Sequence, residues 1–368
     1  MNKHALLVLV PALAAAPAAA QAAGQTLAFA VYDWANALYQ TRFVDECPEG
    51  LGISNDEYWW RGLSKQDRAR LTNNGLLEAG NRHNVAKKRG PNGEDVCLDP
   101  TVISDPPMRV VEGKYSFGEN VDSNEDGRAT AKTCAHGNFT SLDGVPGIDN
   151  QMYRLIGCTY GWRTLGGLID QHANEMRRAS GLGMTLIEIT GVKDPRNSPD
   201  VTVTFYRSID QFMLDGKSKP LPHVTYRIDL ADGKPRYGDS LKGGIKDGVL
   251  TTERGDVRMA YTGNYSFINP VIRDMGLKLE LAPDSQSAKG MITGYFDAEL
   301  FAHYANGLGG TIPVSYFSCS ALHQAALRLA DGYPDPKTGQ CTALSSAFNI
   351  LAAAAFILKP AQQSAEAP

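Results

Sequence analysis

The hydrophobic pattern of the chain changes period near residue 181. Beyond that point, segments rich in β-branched and aromatic residues alternate apolar with polar side chains, at 184–190, 201–206, 223–230, 248–253, 257–261, 277–282 and 290–296. Turn-forming pairs such as Asp232-Gly233 and Pro283-Asp284 separate them. Short strands joined by such turns predict an antiparallel β-sandwich or a barrel-like core.

Segments with apolar residues at helical spacing lie before and after the predicted strands. Residues 65–79 follow Ser64, a preferred N-cap residue, and apolar residues also recur at helical spacing in 297–306 and 315–331. We therefore predict an α+β, β-dominant protein made of five parts: a signal peptide (1–22), a loop-rich disulfide-tied region with a possible calcium site (23–180), the antiparallel β-sandwich (181–296), a short helical segment packed on it (297–360) and a disordered tail (361–368).

The first 22 residues have the pattern of a secretory signal peptide. Lys3 supplies the positive end, residues 6–11 are apolar, and an A-x-A cleavage motif follows at residues 18–20 or 20–22. No later stretch of about eighteen uncharged apolar residues follows, so no transmembrane segment is expected in the mature chain. The sequence therefore predicts a periplasmic or secreted protein.

Composition narrows the classes of partner. Apolar residues make up 43% of the chain and charged residues 21%, which is enough for a packed core and excludes wholesale disorder. The 36 Lys and Arg residues do not outnumber the 40 Asp and Glu residues, whereas a nucleic-acid binder usually has a basic excess. The expected partner is an unidentified extracellular or periplasmic ligand.

The chain has six cysteines, and export makes disulfide bonds their expected state. Six cysteines allow fifteen pairings. Short loops close most easily, so proximity along the chain favours three bonds: Cys47–Cys97, Cys134–Cys158 and Cys319–Cys341.

A possible calcium site lies in residues 122–127, Asp-Ser-Asn-Glu-Asp-Gly. Oxygen ligands at alternate positions followed by glycine resemble the first half of a calcium-binding loop. The expected ligands are the side chains of Asp122, Asn124 and Asp126, the carbonyl of Arg128, and a last carboxylate from Asp143, Asp149 or Glu125. The alternative is an Asx-rich turn without a metal, because Asp, Asn and Gly also favour turns.

His136 lies close in sequence to Asp143 and Asp149. Imidazole and carboxylate groups together can form a metal site or an acid–base pair, which makes these three the candidate catalytic residues. The structural alternative is a hydrogen-bonded histidine in a loop, beside turns at Asp143-Gly144 and Gly147. One histidine and two aspartates do not define a specific geometry by themselves.

Two functions fit these features. The first is a non-catalytic envelope or secreted binding protein in which calcium orders a long loop. The second is a metal-dependent hydrolase acting on an extracellular polymer or ester. The absence of G-x-S-x-G, H-E-x-x-H and phosphate-binding glycine motifs favours the first. A concave pocket around the candidate residues would favour the second.

Overall fold

The computed structural model describes residues 24–39, 43–52, 63–73, 89–104, 107–163, 168–263, 266–309 and 319–359. The expected signal peptide and the expected disordered tail lie outside the described residues. The first region of the chain does contain the expected helix after Ser64, whose Oγ accepts the backbone N–H of Asp67 at 3.0 Å as an N-cap does.

Strands make up most of the regular structure, which confirms the β-dominant class. They are β1 Gln25–Asn36, β2 Phe139–Thr140, β3 Pro146–Ile148, β4 Thr185–Val192, β5 Ser198–Arg207, β6 Val224–Arg227, β7 Leu230–Ala231, β8 Lys234–Pro235, β9 Ser240–Lys246, β10 Val249–Thr252, β11 Gly255–Arg258, β12 Tyr261–Gly263, β13 Ser266–Ile268, β14 Val271–Leu281, β15 Ser287–Asp297, β16 Gly332–Pro334 and β17 Cys341–Leu358. The helices are α1 Phe43–Glu46, α2 Lys65–Asn73, α3 Gln151–Ile156, α4 Tyr160–Arg163, α5 Leu168–Ser180, α6 Ala298–Gly309 and α7 Cys319–Leu329.

Eight strands form one closed sheet in the order β1-β4-β5-β9-β10-β14-β15-β17, and β17 pairs back with β1. Every neighbouring pair in this ring is antiparallel. The antiparallel core is therefore the barrel-like alternative. Its strands are not confined to 181–296, because β1 comes from the region before it and β17 from the region after it.

Alternation along the strands places apolar side chains on both faces of β1. Phe29 and Val31 belong to the main core, together with Ile187 of β4 and Phe348 of β17. Ala30 points the other way and packs in a smaller apolar cluster that the segment 212–228 covers. Burial of each large apolar side chain contributes about 1.5–3 kcal/mol, so the filled interior is the main source of stability.

The expected C-terminal helical segment is present as α6 and α7, but the chain then enters β17, a strand of 18 residues. Its sequence is nearly continuous in alanine and other apolar residues and lacks the two-residue alternation of the other strands. A strand between two neighbours that is buried on both faces needs no polar face. The apolar run 351–358 suits a buried strand or a helical turn equally well, and the structure shows that it is the end of β17.

The structure contradicts all three disulfide pairings expected from sequence proximity. The bonds are Cys47–Cys158, Cys97–Cys319 and Cys134–Cys341, with sequence separations of 111, 222 and 207 residues. Loop-closure entropy favours short loops in the unfolded chain, but the folded positions of the cysteines decide which pairs can form. Long closed loops also stabilise most, by about 5 kcal/mol each on the chain-entropy model.

These three disulfides fit an extracellular or periplasmic protein, because such compartments are oxidising. In the part of the chain that the structure describes, no helix has both the length and the apolar character of a transmembrane span.

Candidate metal site

Asp122, His136 and Asp149 come together where the loop 119–138 lies beside the hairpin β2–β3. The loop is fixed at one end by the Cys134–Cys341 disulfide, which ties it to the start of β17. Asp149 directly follows β3, and its backbone N–H donates to the carbonyl of Glu119 at 3.0 Å. Backbone contacts between segments therefore set where the three side chains meet.

Gly127 allows the two halves of the loop to touch. Its φ is +66°, and its carbonyl accepts the backbone N–H of His136 at 2.9 Å. A Cβ at this position would lie 2.1 Å from the carbonyl oxygen of His136, closer than any real contact. Only glycine fits here, so the glycine of the Asp-Ser-Asn-Glu-Asp-Gly motif has a direct role in placing His136.

Each carboxylate has one oxygen held by the backbone and presents the other to the imidazole of His136. Asp122 Oδ1 accepts the N–H of Asn124 at 2.8 Å, and Asp122 Oδ2 lies 3.4 Å from His136 Nε2. Asp149 Oδ2 accepts the N–H groups of Val121 and Asp122 at 2.7 and 3.1 Å. Asp149 Oδ1 then lies 4.0 Å from His136 Nδ1.

The three side chains are buried, with 3% of Asp122, 4% of His136 and 0% of Asp149 exposed. Two of their polar atoms, Asp149 Oδ1 and His136 Nδ1, have no hydrogen-bond partner. Leaving a buried polar atom unsatisfied costs about 1–3 kcal/mol. One ligand atom from each residue lies within 4.8 Å of the others, so the group can hold a metal ion. We call these residues the Asp–His–Asp group.

Electrostatics around the group favour a cation. Burial raises the pKa of Asp149 to about 7, and the Asp122 carboxylate adds to this, although the two backbone N–H groups act in the opposite direction. Burial also raises the pKa of Asp331 to about 6. The pKa of Tyr295 is raised by burial and by the carboxylates of Asp331, Asp149 and Asp122. Buried carboxylates in such proximity are costly when ionised, and a bound cation offsets that cost.

The other ligands expected for calcium bind one another in successive Asx turns. Asn124 Oδ1 accepts the N–H of Asp126 at 2.9 Å, and Asp126 Oδ1 accepts the N–H of Arg128 at 3.0 Å. The Asn124 side-chain amide donates to the Arg128 carbonyl at 2.9 Å. The structure brings Asp122 into the Asp–His–Asp group but does not bring Asn124, Asp126 or Arg128 there.

Asp143, expected as a ligand or catalytic residue, is exposed in the turn between β2 and β3. The turn is closed by the N–H of Gly144, which donates to the Ser141 carbonyl at 3.0 Å. Of the two later aspartates, the structure brings only Asp149 to His136. Asp143 lies at the turn of the hairpin, whereas Asp149 lies at its end, where β3 directs the side chain towards His136.

Sequence reasoning missed the residues that support the group from the closed sheet. Asp331 accepts the N–H and the hydroxyl of Ser345, both at 2.7 Å, and its carbonyl accepts the N–H of Cys134 at 2.8 Å. Ser345 lies on β17 and also accepts the N–H of Gln151 at 3.0 Å. The contacts of Asp331 with Cys134 and of Ser345 with Gln151 join residues 197 and 194 positions apart, so no local pattern could have indicated them.

Three cavities are lined by described residues, and one of them includes Glu119 of the loop 119–138. The largest, about 580 Å³, lies on strands β4, β5, β9 and β10, and a second, about 490 Å³, lies on β10, β14, β15 and β17. A third of about 260 Å³ adjoins the Cys47–Cys158 disulfide. None of these three is lined by Asp122, His136 or Asp149, so the concave pocket that a hydrolase would need is not found among them.

Comparison with protein-family models, with curated proteins and with solved structures finds no significant match for this chain. Functional inference therefore rests on the geometry of the Asp–His–Asp group.

Proposed function

We propose that this chain is an exported, non-catalytic binding protein in which the Asp–His–Asp group holds a divalent cation. The observation that carries the proposal is that three buried side chains bring one possible ligand atom each within 4.8 Å of the others, while His136 Nδ1 and Asp149 Oδ1 lack hydrogen-bond partners. Buried polar atoms are normally satisfied, and an ion is one of the recognised reasons for an exception. The surrounding carboxylates supply the negative charge that a cation requires.

The position of the group suggests that the cation stabilises the fold. Asp122 and His136 belong to the loop 119–138, Asp149 follows β3, and Asp331 connects the loop to β17. An ion there would bridge segments that are distant in sequence. Because it binds the folded state, it stabilises that state by about 2.7 kcal/mol when free metal is 100-fold above Kd.

Calcium is the cation that the loop sequence predicts, so calcium is one of the metals measured in the test below. The hydrolase alternative would need a metal with an open position facing a substrate cleft. Burial of all three side chains, and their absence from the three cavities described above, favour a structural role over catalysis.

The test is elemental analysis of the purified protein together with thermal melting before and after treatment with a chelator. We expect about one equivalent of a divalent metal per chain and a melting temperature that falls by several degrees when the metal is removed. His136→Ala should abolish both the bound metal and the effect of the chelator.

A matched control is His323→Ala. His323 is also buried but lies on α7, where its Nε2 is 2.8 Å from Glu299 Oε2 of α6. This variant should keep the metal and the chelator effect even if its melting temperature drops. The proposed function is wrong if the wild-type protein binds no calcium, zinc, manganese or cobalt and its melting temperature does not change with chelator.

A further inference from the structure

We infer that the ion belongs to the zinc class and is bound by Asp122 Oδ2 and His136 Nε2, with Asp149 as a positioning residue that orients the imidazole through Nδ1. This inference rests on the proposed function and assigns a metal class and separate roles within the same group. A site with all three residues as ligands does not fit, because the two carboxylates face opposite nitrogens of the His136 ring and one ion cannot contact both nitrogens.

The pair Asp122 and His136 has the spacing of two ligands of one small ion. Their facing atoms are 3.4 Å apart, which is longer than an ordinary N–H···O hydrogen bond. A tetrahedral ion with bonds of about 2.1 Å places its ligands about 3.4 Å from each other. The backbone N–H of Asn124 fixes the other oxygen of Asp122, so Oδ2 is held facing the ring.

Asp149 is placed to orient the His136 ring through the nitrogen that does not bind the metal. Its Oδ1 faces Nδ1, the ring nitrogen opposite to the one that faces Asp122, at 4.0 Å. Metal-binding histidines usually donate their other N–H to a carboxylate or carbonyl, which fixes the tautomer that leaves the ligating nitrogen unprotonated. Two backbone N–H groups hold Asp149 Oδ2, so the carboxylate is itself fixed in orientation.

The ligand types distinguish the metal class. Calcium takes six to eight oxygen ligands at 2.3–2.6 Å, whereas imidazole suits zinc, copper, nickel and iron. Asp126 does not belong to the Asp–His–Asp group, and the Asn124 side chain bonds within the Asx turns, so neither adds an oxygen to a calcium shell there. A zinc-class ion needs fewer protein ligands, with water in the positions that the protein leaves open.

The first test compares metals on the wild-type full chain after removal of bound metal with chelator. Zn²⁺ and Co²⁺ at micromolar concentration should raise the melting temperature, and millimolar Ca²⁺ should not. In the zinc-loaded protein with ¹⁵N-labelled histidine, the imidazole of His136 should show a protonated Nδ1 and a metal-bound Nε2.

The second test uses Asp149→Asn, with Asp143→Asn as its matched control in the exposed turn. The side-chain amide introduced by Asp149→Asn would donate to Nδ1 and favour the tautomer with a proton on Nε2, so zinc binding should weaken about 10- to 100-fold. At saturating Co²⁺, the visible absorption spectrum should match wild type, because Asp149 is not a ligand. Asp143→Asn should leave both the affinity and the spectrum unchanged.

The outcomes separate this inference from the proposed function. Stabilisation by Ca²⁺ that equals stabilisation by Zn²⁺, a metal on Nδ1, or an altered cobalt spectrum in saturated Asp149→Asn would overturn the inference while leaving a cation site in place. Absence of binding by every cation would overturn both. The wild-type measurements decide the metal class and the ligating nitrogen even if Asp149→Asn does not fold.

Discussion

Asp170 shows how a single buried acid makes stability depend on pH. It lies on α5, where its carboxylate accepts the backbone N–H of Asn36 at 2.8 Å and the Asn36 side-chain amide at 3.0 Å. Burial raises its pKa to about 7, although these hydrogen bonds act in the opposite direction. The folded protein therefore retains a proton near neutrality that the unfolded chain releases.

Stability should consequently fall as the pH rises between about 4 and 7. The contribution from Asp170 is fully present below its unfolded pKa and is lost as the pH passes through its folded pKa. In urea titrations from pH 5 to pH 8 with chelator present, Asp170→Asn should have a shallower decline than wild type, by up to about 1.4 kcal/mol per pH unit. Asp232→Asn, in an exposed turn, serves as control. Equal slopes in Asp170→Asn and wild type would show that Asp170 is ionised in the folded state.

Glu46 and Arg163 form a buried ion pair next to the Cys47–Cys158 disulfide. Their side chains are 1% and 0% exposed, and Glu46 Oε2 also accepts the hydroxyl of Tyr153 at 2.7 Å. Burial lowers the pKa of Arg163 to about 10, because the guanidinium loses its hydration when it is charged inside the protein. Removing one member leaves a charge buried without compensation.

Glu46→Ala should therefore lower the free energy of unfolding by about 3–5 kcal/mol in a denaturant titration. The exposed pair of Glu49 and Arg109, 3.5 Å apart, supplies the control, and Glu49→Ala should cost less than about 1 kcal/mol. The double variant Glu46→Leu/Arg163→Met should recover part of the loss. Comparable effects of Glu46→Ala and Glu49→Ala would contradict this role.

At the scale of elements, the loop 119–138 depends on the close approach at Gly127. Gly127→Ala should displace the His136 segment and reduce cation-dependent stabilisation, because the added Cβ would meet the His136 carbonyl at 2.1 Å. Gly144→Ala is the matched control: its φ is +85°, but no atom lies within 4 Å of the added Cβ. Both variants carry backbone strain of about 1 kcal/mol or more.

The measurement is the rise in melting temperature on adding metal to the chelator-treated protein. Gly144→Ala should melt lower than wild type yet show the full rise. Gly127→Ala should show little or none. A full rise in Gly127→Ala would mean that the loop does not need this contact to form the site.

The strands could be predicted to different degrees from the sequence. The predicted segments 184–190, 201–206 and 290–296 end within three residues of the bounds of β4, β5 and β15, whereas 277–282 covers only the second half of β14. β17 could not be identified in the same way, because both of its faces are buried apart from Leu351 and Phe356, and its alanines carry no alternation. The calcium-like motif predicts either a cation loop or an Asx-rich turn, and the side-chain partners that distinguish the two depend on the fold.

For the whole molecule, the pairing of β1 with β17 determines contacts between distant segments that local sequence patterns cannot predict. β1 and β17 come from opposite ends of the described chain and pair directly, with Phe29 opposite Ala354. That closure brings Asp331 beside the Asp–His–Asp group and Cys134 beside Cys341. Asp122, His136 and Asp149 could be chosen as candidates from their chemistry, whereas Asp331 and the disulfide pairing required the topology.

The disulfide pattern is a direct check on this topology. Proteolysis without reduction, followed by mass spectrometry, should recover peptides joined through the three observed pairs: Cys47–Cys158, Cys97–Cys319 and Cys134–Cys341. Peptides that link cysteines adjacent in sequence, such as Cys134 with Cys158, would contradict the closed arrangement of the strands.

The most direct measurement of the Asp–His–Asp group is an anomalous-difference electron-density map from crystals of the zinc-loaded protein, collected on both sides of the zinc absorption edge. We expect one strong peak about 2.1 Å from both Asp122 Oδ2 and His136 Nε2, with Asp149 hydrogen-bonded to Nδ1. The opposite result is a map with no peak at the group, in which His136 bonds only to protein atoms or water.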